Sequence, residues 1–121
     1  MVAVANEAGF PSDELQARFD RAVAPYERHP GVAPGTGFGG ASGRRVGGRI
    51  FAMLVRGRLV VKLPAARVAE LTASGDGVPF DAGKGRPMRE WVSAPASDPD
   101  PWPSLVAEAF AFVGGEPVRE A

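Results

Sequence analysis

Two short apolar runs, Ile50-Phe-Ala-Met-Leu-Val55 and Leu59-Val-Val-Lys-Leu63, stand on either side of Arg56-Gly57-Arg58. Runs of this length are strands, and a glycine in the gap supplies the backbone conformation that a tight hairpin loop demands. With Arg56-Gly57 as the two-residue loop, Ile50, Ala52, Leu54, Leu59, Val61 and Leu63 share one wholly apolar face. The other face mixes Phe51, Met53, Val55 and Val60 with Arg58 and Lys62. The rest of the chain has to supply cover for such a hairpin.

Helical periodicity supplies it on both sides. Leu15, Phe19, Ala22 and Tyr26, with Val23 beside them, form one helical stripe and predict a helix over 12–28. Ser12 is its expected N-cap, Asp13 and Glu14 suit its positive end, and Pro30-Gly31 stops it. Pro64 at a first helical position, the pair Val68 and Leu71, and Gly75 as a stop predict a helix over 64–74. Trp102, Leu105, Ala109 and Phe112, with Val106 and Val113, predict a third ending at Gly114. Between these elements, Thr36–Gly40 reads as a glycine-rich strand, Val78–Phe80 as a segment touching the sheet edge, and Met88–Ser93 as a further strand. The order implies an α+β domain over 12–114, a mainly antiparallel sheet with flanking helices, between a flexible start at 1–11 and a flexible tail at 115–121.

Composition narrows the chemistry. The 121 residues hold no cysteine and one histidine, so disulfides, thiolate metal sites, thiol nucleophiles and multi-histidine metal centres are excluded. No cofactor is expected. No run of apolar residues reaches the length of a membrane span, and no basic leader precedes the first helix, so the reading is a cytoplasmic protein without membrane contact. Gly35-Thr-Gly-Phe-Gly-Gly40 matches a dinucleotide-binding spacing, but prolines precede it and no helix follows, so it reads as a bent strand. His29 sits at a helix end and reads as a cap or an exposed side chain. Asp98 and Asp100 belong to a turn, the serines to caps and loops, and none of them marks a catalytic site. Trp91 and Trp102 both fall on apolar-periodic positions, which predicts core packing for each.

Charge is the remaining signal. A formal net charge of zero conceals a segment over 28–67 with eight cations and no acid, between acidic flanks of net −3 and −5. Such asymmetry marks either a basic contact face or a set of ion pairs across the fold. Arg44, Arg45 and Arg49, on a glycine-rich segment, are the candidate phosphate contacts for sequence-independent nucleic-acid binding. Lys62, with Lys84 and Arg86 of the Gly83-Lys-Gly-Arg86 turn, is the candidate set for a small carboxylate or phosphate. Glu90 is the expected carboxylate partner of Lys62.

The run Gly37-Phe-Gly-Gly40, then Arg49–Leu54, Gly57–Pro64 and Gly83–Val92, resembles the TfoX N-terminal-domain family over about residues 12–113. The family is similar in fold to the YjbR/MmcQ-like group, small α+β domains with an antiparallel sheet. Its larger members are bacterial competence regulators with an additional C-terminal domain, for which 121 residues leave no room. The resemblance therefore implies a stand-alone regulatory or binding module, non-enzymatic and directed at a protein or nucleic acid, and it carries over no catalytic residue. Two alternatives stay open: an anion-binding protein or enzyme using the Lys84/Arg86 loop, and a homodimer joined through an apolar sheet face.

Overall fold

The computed structural model describes residues 11–35, 42–80 and 89–114. Helix α1 (Ser12–Val23) opens on Pro11 rather than on a Ser12 cap, because the Pro11 carbonyl accepts from the amides of Glu14 at 3.0 Å and Leu15 at 3.1 Å. It ends well before residue 28. Pro25 has no amide to donate and converts the last turn into a 3-10 turn, Ala24–Tyr26. Tyr26 leaves the helix yet still reaches the core edge, stacked on Phe110 with ring centroids 4.7 Å apart.

Six strands follow among the described residues: β1 (Val32–Pro34), β2 (Ser42–Val46), β3 (Arg49–Val55), β4 (Arg58–Lys62), β5 (Val78–Pro79) and β6 (Trp91–Ala94). They form one antiparallel sheet in the order β1-β2-β3-β4-β6-β5, with helix α2 (Ala65–Ser74) between β4 and β5 and helix α3 (Trp102–Gly114) last. The α+β class and the antiparallel sheet are those the sequence implies. The expected strand at Thr36–Gly40 lies outside the described residues, as do Lys84, Arg86, Met88, the chain start over 1–10 and the tail over 115–121.

The central hairpin pairs Val55 with Arg58, so Arg56-Gly57 is the two-residue loop. Both loop residues have positive φ, 52° and 80°, the geometry whose twist suits a right-handed ribbon. A second loop of this kind, Gly47-Gly48, joins β2 to β3. Residues 44–46, read from sequence only as part of a glycine-rich segment, are therefore strand, with Arg44 and Arg45 inside β2 and Arg49 opening β3.

One bulge revises the expected faces. Arg44 pairs with Ala52 and Arg45 with Ile50, which leaves Phe51 without an opposite residue. The extra residue turns Phe51 to the helix side, where it meets Phe110 edge-on at 5.4 Å, and moves Ile50 out of the core. The core is then Ala52, Leu59, Val61, Leu63, Val92 and Ala94 from the sheet, closed by Leu15, Phe19 and Val23 of α1, Val68 and Leu71 of α2, and one stripe of α3. That stripe runs Trp102, Leu105, Val106, Ala109, Phe110 and Val113; Phe112, expected inside, is exposed. On the opposite sheet face, Met53 and Val60 pair across the hairpin and are themselves buried, at 2% and 1% exposure.

Candidate functional site

Most described cations of the acid-free segment are engaged within the fold. Arg44 lies over the Phe19 ring and pairs with Glu27. Arg49 donates to the Val113 carbonyl at 2.9 Å, tying the start of β3 to the end of α3. Arg58 reaches across to the Ser93 hydroxyl at 2.7 Å. Arg67 grips Glu108 with two hydrogen bonds, 2.9 and 3.1 Å, and Glu70 with a third, and the bond to Glu108 helps raise its pKa above the ordinary guanidinium value. The acids come largely from the flanks, as the ion-pair reading requires: Glu27 from the first, and Glu70, Glu90 and Glu108 from the last.

The three arginines expected to act together do not converge. Register places Arg44 and Arg45 on opposite faces of β2, and the Arg45 Nε is buried without a hydrogen-bond partner. Asp98 and Asp100 also have local roles: the Asp98 carboxylate accepts from the Asp100 amide at 3.3 Å, while Asp100 meets Arg18 at 3.4 Å. Among the described residues no group of His, Cys, Asp and Glu is arranged to hold a metal, and no helix is long and apolar enough to cross a membrane.

Among the described residues, two hollows border helix α2. One of about 220 Å³ lies between α2, the end of β6 and the start of α3, lined by Leu71, Asp76, Asp98, Leu105 and an Arg67 already committed to Glu108. The other, of about 380 Å³, opens where β4 runs out into α2 and is lined by Lys62, Ala65, Arg89, Glu90 and Trp91. Only the second reaches the size of an ordinary small-molecule pocket, roughly 300 Å³ and above.

The second hollow follows from local sequence. Lys62 is the last residue of β4 and lies directly across from Trp91, the first of β6. The ladder continues one step further, with the Leu63 amide donating to the Glu90 carbonyl at 2.9 Å. Pro64 then serves as N-cap of α2, whose first turn has neither a capping side chain nor an acid. Lys62 is held loosely, 3.9 Å from the Glu90 carboxylate and 5.8 Å from the Trp91 ring centre. The expected Lys62–Glu90 pair is present. Arg89 is exposed and makes no ion pair or hydrogen bond among the described residues.

Trp91 corrects an expectation. It stands outside the helix-side core, half-buried, with Phe80 tilted beside it at 6.5 Å, whereas Trp102 is completely buried at the entry to α3. Strand parity separates them: Val92, one residue on, takes the core position that a strand grants to alternate residues. Comparison with known proteins gives no matching family model, no matching curated protein and no matching solved structure.

Proposed function

We propose that this chain is a TfoX N-terminal-like domain, a non-enzymatic regulatory module of the bacterial cytoplasm that acts by contact through its β4–β6 corner. The observation that carries this reading is the unequal use of side chains. Arg44, Arg49, Arg58 and Arg67 are bound within the fold. Trp91, Phe80 and Arg89 are left at one corner beside a loosely held Lys62. Aromatic and arginine side chains gathered at one place are the usual anchors of a contact surface. Duplex phosphate binding through Arg44, Arg45 and Arg49 loses its support, because the strand splits the set between two faces. The homodimer alternative loses its motive as well, since Phe51, Met53 and Val60 are already buried in the single chain.

Site-specific cross-linking tests the reading. With Phe80 replaced by p-benzoylphenylalanine, irradiation of cells of the source organism should yield discrete adducts of higher mass. The same probe at Phe112, exposed on α3, should not. Equal adducts from both positions, or none from position 80, would remove the corner as the contact surface.

A further inference from the structure

The hollow at the end of β4 combines two chemistries that rarely share one small site by accident of surface composition. Trp91 offers a part-exposed aromatic face, extended by Phe80, and an aromatic face of this kind accepts any nucleobase by stacking. Lys62 and Arg89 line the same 380 Å³ space and together outweigh the single carboxylate of Glu90. The uncapped first turn of α2, entered at Ala65, adds backbone donors to a site the side chains already define.

Lys62 is the informative residue. Its two contacts are both near the limit of what counts as one, in contrast to the 2.9 Å bond between Arg67 and Glu108. An ammonium held this loosely is drawn to a phosphate at little expense, and its departure from the Trp91 ring uncovers the surface on which a base stacks. We infer that this hollow binds a phosphorylated nucleoside, the base against Trp91 and the phosphate between Lys62, Arg89 and the start of α2. The phosphorylated base comes either as a free nucleotide or as part of a single strand of nucleic acid.

The full chain carries two tryptophans, so its amide NMR spectrum holds two indole N–H signals. Adenosine 5′-monophosphate is the probe, and the Trp91→Phe spectrum assigns the signals. Titration should move the Trp91 signal saturably, with half-saturation at about 0.1–1 mM, and leave that of the buried Trp102 in place. Adenosine alone and inorganic phosphate alone should each bind about tenfold more weakly. Lys62→Met should weaken nucleotide binding about tenfold, and Glu90→Gln, which removes the competing carboxylate, should strengthen it. Both sites are at the surface, and the unmoved Trp102 signal confirms that each variant is folded. A six-residue oligodeoxyadenylate binding more than tenfold tighter than the mononucleotide identifies a nucleic-acid strand as the source; equal or weaker binding identifies the free nucleotide. A Trp91 signal unmoved by both ligands at about 5 mM, or a titration indifferent to Lys62→Met, overturns the assignment.

The assignment rests on the corner being a contact surface, yet the two fail separately. Adducts from position 80 without any indole shift would refute nucleotide binding and keep the contact reading. An indole shift without adducts would do the reverse.

Discussion

Arg56 is the one described non-glycine residue with positive φ, at 52°, and it occupies the first position of the central hairpin loop. An L-residue pays about 1–2 kcal/mol for that conformation unless its side chain relieves it, as asparagine does. Arg56→Asn should therefore raise stability by about 0.5–1 kcal/mol. The neighbouring change goes the other way, because Gly57 combines a φ of 80° with a position where a Cβ would stand 3.2 Å from Leu15 Cδ1. Gly57→Ala should lower stability by about 1–2 kcal/mol, and urea unfolding of the two variants side by side measures both signs.

Among the elements, α3 best shows what periodicity conveys and what it omits. Its span and its buried Trp102, Leu105, Val106, Ala109 and Val113 are legible from spacing alone, but Phe110 and Phe112 are both apolar and only packing chooses between them. The aromatic group of Tyr26, Phe51 and Phe110 makes that choice, with Phe110 at its centre. Phe110→Ala should cost about 3–5 kcal/mol, and Phe112→Ala, at 37% exposure, within about 0.5 kcal/mol of nothing. The sheet carries the same lesson. The Arg56-Gly57 hairpin declares itself through two apolar runs, whereas β2, reading Ser-Gly-Arg-Arg-Val, has no alternation and is a strand only because β1 and β3 pair with it. The Gly47-Gly48 dipeptide between Val46 and Arg49 was the available signal for that second hairpin. The bulge at Phe51 leaves no mark of its own in the sequence, so the exchange of Phe51 for Ile50 in the core could not be read there. At the candidate site, the Lys62–Glu90 pair was legible from strand order. The partly exposed Trp91 was not, since a large apolar residue on a strand reads as core until the register assigns its face.

For the whole molecule, the sheet edges decide how it meets its surroundings. Both edge strands are short and both contain proline, Pro34 in β1 and Pro79 in β5, which removes an amide donor from each edge and opposes strand-to-strand pairing with another chain. With Met53, Val60 and Phe51 also buried, no described apolar face calls for a second copy, and sedimentation at about 100 µM should show one species near the chain mass of 12.6 kDa. A partner then has to meet a surface, and the corner where β4, β6 and α2 meet offers it the aromatic and cationic side chains that the fold does not use. The most direct measurement is the yield of cross-linked adducts from position 80 in cells, compared between Trp91 intact and Trp91→Leu. Since Trp91 lies outside the helix-side core, the variant should keep its unfolding free energy in urea titration within about 1 kcal/mol of the parent while the yield falls about tenfold. An unchanged yield from a folded variant would contradict the claim that this corner is where the protein makes contact.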